Sequence, residues 1–540
     1  RGGGCRLRRG EPGGTDAVGG FVEVCVVGGG DKRPMKPIKR GMGVTDSERY
    51  LARAAEKTFL NLWSYPNTFI EKKLRGQGDG KELCDLLVVF GDDVLVFSDK
   101  EVEFRPHNDI FVAWNRWYRA AIQKSVAQIH GAERFLRDHQ ERIFLDKGCT
   151  EPFPITLPNP EEMRFHGISV AIGAEDAARR HWGGDDGTLI IADTSKLGES
   201  GTGLPFSVGD PNPSKSFVHV FDRTSLDVLF SEFDTVADFV EYLSHRSDAI
   251  RQKNIVAANS EKDMIAAYLQ NEDESGNHSF DLPMRAPNQV LNIADGLYET
   301  FRNRPEYEAR KEADAISYTW DKLITQFTDH VLAGTSVKIT HENPSAALAE
   351  PALRFMAAEP RVRRRGLSQA FLEALSKSSE LNQDRYARIA LPGDDVSSKV
   401  AYIFLILKYP SFLDDRGGYD QYRRARVSML ETYGYAVLQD YRSIETVVGI
   451  AIDGHDPSTA GEGGSEDLMA LQVGSWNKEL EAEIAQRREE LGILNSKQMK
   501  YHSVSAQQFP SHDTFAAKET RQQRRARERR EAKKGRLPDT

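Results

Sequence analysis

Between Glu82 and Phe104 the chain reads ELCDLLVVFGDDVLVFSDKEVEF, two apolar runs on either side of Gly91-Asp92-Asp93. Leu83, Leu86, Leu87, Val88, Val89 and Phe90 make the first run; Val94, Leu95, Val96 and Phe97 make the second. Uninterrupted runs of this length mark strands covered on both faces, and the short polar break between them makes the pair a hairpin. The same stretch places Asp85 inside the first strand and Ser98 and Lys100 at the end of the second. A carboxylate and an ammonium set in apolar β-structure are paired, hold a metal or do chemistry.

The flanking residues extend the pattern. A helix is predicted from Thr45 to about Trp63, capped by Thr45 or Asp46, with an apolar face of Tyr50, Leu51, Ala54, Ala55, Phe59, Leu60 and Leu62. Tyr65-Pro66-Asn67 ends it, Thr68 to Leu74 reads as a first strand, and the glycines of Gly76 to Gly80 as a loop. After Pro106 comes a long helix from Trp114 to about Asp138, then a short last strand at Ile143 to Leu145. The order is helix, strand, hairpin, helix, strand.

A chain of 540 residues exceeds one ordinary core. The expected division is a disordered Gly-, Arg- and Pro-rich extension at 1–41, a first domain at 42–150, α+β regions at 151–345 and 346–495, and a polar, disordered or helical tail at 496–540. The extension suggests a functional start nearer Met35 or Met42. Its CVVGGGD run is no dinucleotide-binding turn, because Pro34 and Pro37 fall where the phosphate-binding helix would begin. LGESGTGLP, at 197–205, lacks the Lys-Ser/Thr of a phosphate-binding loop and reads as a surface loop. In the middle region Ile168 to Ile172, Thr188 to Ala192 and Ser216 to Phe221 are strand-like, with His219 as a core or edge-strand residue. In the third, Ala347 to Ser376 and Val400 to Lys408 read as helices, Tyr435 to Gln439 and Val447 to Asp453 as strands, and Asn477 to Leu491 as a helix.

Charged residues make up 28% of the chain, and neither a membrane-length apolar segment nor a secretory leader is visible, so a cytoplasmic protein is expected. Cys5, Cys25, Cys84 and Cys149 have no zinc or C-x-x-C spacing. Net charge is -9, yet Lys518 to Arg536 holds ten Lys/Arg against three Glu, a local +7 that leaves -16 on the rest. Within it Arg524, Arg525, Arg527, Arg529, Arg530, Lys533 and Lys534 form a basic arm suited to an anionic partner such as DNA or RNA, or a solvated segment.

With an acid in one strand and a lysine at the end of the next, residues 44–145 resemble the PD-(D/E)XK, or restriction-endonuclease-like, nucleases, and most of all the nuclease-related-domain branch. The resemblance implies an α/β fold with a mixed sheet flanked by helices, and a site for one or two divalent cations, Mg²⁺ or Mn²⁺. It implies Asp85 as metal ligand, Glu56 of the first helix as auxiliary acid and ligand, Lys100 as the cation that orients water, and Gln128 with Lys124 as phosphate or water contacts. The chemistry is coherent: a hard cation bound by carboxylates offsets phosphoryl charge and acidifies its water. Lys124 and Gln128, four apart, share a helical face.

One departure stands out. Where the family has an acid two residues before the lysine, this chain has Ser98. Side chains alternate along a strand, so Asp99 needs a bulge to replace it; Glu56, Glu71 or Glu82 is the alternative source of a carboxylate. Two functions follow: a metal-dependent nuclease acting on DNA or RNA, or a catalytically inactive nuclease-fold protein that binds nucleic acid or a protein partner.

Overall fold

The computed structural model describes residues 24–27, 36–71, 80–183, 186–192, 204–252, 255–272, 276–280, 291–337, 345–381, 383–393, 398–454, 465–494 and 507–509. The basic arm, LGESGT and most of the 76–80 loop lie outside them. The fold is α/β, with three mixed sheets and helices against their faces. No described helix is long and apolar enough to cross a membrane.

The sheet that carries the hairpin follows helix α1, Asp46–Trp63. Its strands are β1, Ser64–Ile70; β2, Lys81–Phe90; β3, Asp93–Glu101; β4, Ile143–Phe144; β5, Arg164–Ile172; and β6, Val218–Phe221. They lie in the order β4-β1-β2-β3-β5-β6. The hairpin is as expected: Phe90 pairs with Asp93 across a two-residue turn whose Gly91 has φ 59°, a left-handed conformation that suits glycine. Leu86 to Val89 and Val94 to Phe97 are almost fully buried.

One expectation about the neighbouring strands is corrected. The first strand is Ser64–Ile70, not Thr68 to Leu74, and Pro66 lies within it. Proline is tolerated because β4 pairs only with Phe69 and Ile70, so no strand lies beside Pro66 on that edge. The strand at Ile143–Phe144 borders β1, while the strand that joins β3 is Arg164–Ile172, in parallel. The sheet therefore continues across the boundary expected at residue 150, into β5 and β6.

The long helix after the hairpin is two helices, α2, Ile110–Tyr118, and α3, Lys124–Asp138, joined by one π turn, Arg119–Gln123. A smaller sheet runs Leu291–Ile293, Ile255–Ala258, Ile190–Ala192, Ser207–Val208. The third runs Ser336–Val337, Val24–Val27, Glu466–Leu471, Thr446–Asp453, Val400–Leu407, Arg385–Ala390. Val24–Val27 corrects the expectation of disorder throughout residues 1–41, as does Arg40, whose guanidinium donates to the Ser64 carbonyl at 2.9 Å. Val400–Leu407 is a buried strand, not a helix, and Tyr435 to Gln439 belongs to the helix Gly418–Asp440.

Buried ion pairs join the parts of the chain. Arg361 Nε lies 2.8 Å from Asp234 Oδ1, and Arg364 Nη1 lies 2.6 Å from Asp321 Oδ1. Trp63 at the end of α1 donates its indole N–H to Glu350 at 2.8 Å.

Candidate active site

The site forms where the hairpin comes apart. The β2–β3 ladder runs from Phe90–Asp93 to Leu86–Phe97. Beyond that pair β2 continues beside β1, with Cys84 opposite Thr68, while β3 continues beside β5, with Ser98 opposite Ser169 and Lys100 opposite Ala171. Asp85 is the first residue of β2 past the last pair. Its Oδ2 accepts the Asp99 backbone N–H at 2.6 Å, and Lys100 Nζ stands 3.6 Å from the same oxygen.

Asp85 is only 5% exposed, whereas the Lys100 side chain is 31% exposed. Burial dominates the titration of Asp85. The Lys100 charge and the Asp99 N–H favour the carboxylate, Glu82 and Glu48 oppose it, and the pKa is raised from 3.8 to about 6. A paired aspartate would ordinarily titrate below its usual value, so this one is held in a form it resists. Perturbation of this kind is concentrated at functional sites.

Ser98 is fully buried; its hydroxyl donates to Gln128 Oε1 at 3.3 Å, and its carbonyl accepts from the Ser125 hydroxyl at 3.3 Å. Gln128 thus reaches the end of β3. Lys124, one turn earlier on α3, is exposed to solvent and bonds to nothing at Asp85.

Glu56 is not at this site. Its carboxylate pairs with Arg40 Nη1 at 3.2 Å, and its side chain is 42% exposed. The α1 acid that Asp85 feels is Glu48, eight residues and about 12 Å earlier along the helix axis. Glu48 lies three residues after Thr45, whose hydroxyl accepts the Glu48 N–H at 3.1 Å, while Glu48 Oε2 accepts the Val44 N–H at 2.7 Å. A capping pattern was therefore visible there, but a cap gives no hint of a second use. Asn67 makes the link: its Nδ2 donates to Glu48 Oε2 at 3.0 Å and to Glu82 Oε1 at 2.9 Å. It does so from a left-handed backbone, φ 51°, which asparagine tolerates better than most residues, beside the register shift after Thr68.

Asp99 does not take the place of the acid missing at Ser98. It is buried, and neither of its carboxylate oxygens has a hydrogen-bond donor in place. Burial raises its pKa even though Ser47 and Arg223 lie near enough to pull it down. Among the described residues no three His, Cys, Asp or Glu side chains form a group ready to hold a metal. The acid at the site is nevertheless a hard-oxygen donor, the Asp85 carboxylate, with Glu48 and Glu82 near enough to raise its pKa and their hydrogen bonds spent on Asn67. That set fits a Mg²⁺-like ion bound by one carboxylate and otherwise by water and a substrate phosphate, a common arrangement for this cation. It does not provide a closed protein cage.

Comparison with protein-family models, curated proteins and solved structures found no match in any of the three.

Proposed function

We propose that the chain is a nuclease that hydrolyses phosphodiester bonds in DNA or RNA at the Asp85–Lys100 site. The observation that carries the reading is the pairing itself: Lys100 Nζ 3.6 Å from a nearly buried Asp85 whose pKa is raised to about 6. In this reading Asp85 holds Mg²⁺ or Mn²⁺, and such an ion, when bound, supplies an acidified water and offsets phosphoryl charge. Lys100, partly exposed at the end of β3, stabilises negative charge that develops on the phosphoryl oxygens. Gln128, anchored through Ser98, orients a water or a phosphate oxygen by its amide N–H groups. Glu56 has no part, and Glu48 and Glu82 act through their charge on Asp85. The buried, unpaired thiol of Cys84 suits a reducing cytoplasmic setting.

A second reading, a nuclease-like fold that binds nucleic acid without cutting it, is favoured by the neutral Ser98 and by the absence of a ready acid cluster among the described residues. The two separate on one assay. Labelled DNA and RNA, duplex and single-stranded, are incubated with Mg²⁺ or Mn²⁺ and the wild type, Asp85→Asn or Lys100→Ala. Cutting by the wild type that falls at least about 100-fold in both variants supports the nuclease, since loss of charge stabilisation costs on that order. Binding with no cutting by any of the three selects the second reading.

A further inference from the structure

The helices after the hairpin carry three cations that no carboxylate balances among the described residues. From Ile110 to Ala132 there is no Asp or Glu. Arg116, Arg119 and Lys124 are all exposed, and none forms an ion pair with another described residue. Most of the other described arginines, by contrast, are paired with carboxylates, Arg361, Arg364 and Arg426 among them.

The backbone lines these three up. The Arg119 N–H donates to the carbonyl of Arg116, and the Lys124 N–H donates to the carbonyl of Arg119, the latter across the π turn. In an unbroken α-helix residues five apart sit roughly 140° apart around the axis. The i→i+5 turn closes most of that angle, which returns Lys124 to the side of the helix that Arg119 occupies. Four residues on, Gln128 is bonded to Ser98, two residues before Lys100. The row therefore leads from Arg116 through Arg119 and Lys124 to the edge of the candidate site.

We infer that this row is the track on which a nucleic-acid backbone lies as it approaches Lys100. The inference rests on the phosphodiester reading above for its direction, but the track stands on its own charge and geometry. Arg116 to Lys124 spans about 12 Å of helix axis, and one strand of a duplex carries a phosphate every ~3.4 Å along its axis. Three cations thus face three or four phosphates. The π turn, which costs hydrogen-bond geometry in a helix that has no other irregularity, is explained as the device that aligns them.

The test is equilibrium binding of the full chain to labelled duplexes of about 20 base pairs, DNA and RNA in separate arms, in EDTA so that nothing is cut, over about 50–200 mM KCl. The row variant is Arg116→Gln, Arg119→Gln, Lys124→Gln; a control variant removes three exposed cations elsewhere, Lys322→Gln, Arg416→Gln, Arg424→Gln. Neutralising three phosphate contacts makes the plot of log K against log [salt] shallower by about 2.7, and each single substitution makes it shallower by about 0.9. The control keeps the wild-type slope. The single substitutions carry the result should the triple variant fold poorly by circular dichroism. A wild-type slope in the row variant, an equal loss in the control, equal competition by poly-glutamate, or no binding by the wild type overturns the track. Row-dependent binding by a wild type that never cuts in Mg²⁺ leaves the track in place and removes the nuclease.

Discussion

Replacing Asp85 with Asn should stabilise the protein, and by an amount that depends on pH. The carboxyl titrates near 3.8 in an ordinary setting and near 6 in the fold. Between those values the folded protein binds a proton that the unfolded chain has released, so stability falls as pH rises from about 4 to 6 and is level above that. The full difference, at 1.36 kcal/mol per pKa unit, is about 3 kcal/mol held against the fold above pH 7. Asn keeps an oxygen to accept the Asp99 N–H, at a loss of about 1 kcal/mol because the acceptor is no longer charged. Lys100, with its side chain 31% exposed, regains water rather than being stranded. The net expectation is a gain of about 2 kcal/mol at pH 8, smaller by about 1.4 kcal/mol at pH 5. Trp63, Trp114 and Trp117 are buried beside this sheet, so urea unfolding followed by tryptophan fluorescence reads the relevant transition. If Asp85 and Lys100 were a plain stabilising ion pair, the sign would reverse: the variant would be less stable, by about the same amount at pH 5 and pH 8. That outcome would refute the view of Asp85 as an acid held at a cost to stability for function.

Two other perturbations separate the residues that matter from those that only looked suitable. Glu56→Gln should leave nucleic-acid binding and cutting unchanged and cost under about 1 kcal/mol in unfolding, since it loses only a partly exposed pair with Arg40; a large loss of activity would restore it to the site. Asn67→Ala should cost about 2–4 kcal/mol by the same unfolding assay, from two hydrogen bonds to carboxylates and a side chain placed at φ 51°. Asn67→Gly relieves only the backbone part, so a glycine variant as stable as the wild type would show that the bridge between Glu48 and Glu82 carries little.

Much of this site was legible because its grammar is local. Apolar runs on either side of Gly91 give the hairpin, and polar residues in such runs mark Asp85, Ser98 and Lys100 without any knowledge of the rest. Gln128 came from the nuclease resemblance, and helical spacing only set it on one face with Lys124. What failed was non-local or ambiguous. Glu48 and Glu56 are both polar positions on α1, and only the tertiary position of Asn67 tells which one turns toward Asp85. The β3 neighbour Arg164–Ile172 begins more than sixty residues after β3 ends, beyond the reach of any pattern in the hairpin. Val400–Leu407 is a continuous apolar run of eight, a length at which buried strand and buried helix look alike. Tyr435 to Gln439 resembles a strand in composition, but it closes a 23-residue helix whose earlier turns decide its state.

The most direct test of the Asp85–Lys100 pairing as a phosphodiester site is the pH dependence of kcat/KM for cleavage in Mg²⁺, wild type against Asp85→Asn. At Mg²⁺ well below saturation this constant reports the ion-free enzyme, so its rising limb should have a midpoint near 6, the pKa of Asp85; saturating Mg²⁺, which favours the carboxylate, should move the limb to lower pH, and Asp85→Asn should show no comparable cleavage at any pH. Cleavage by the variant at the wild-type rate, with the same profile, would contradict the account.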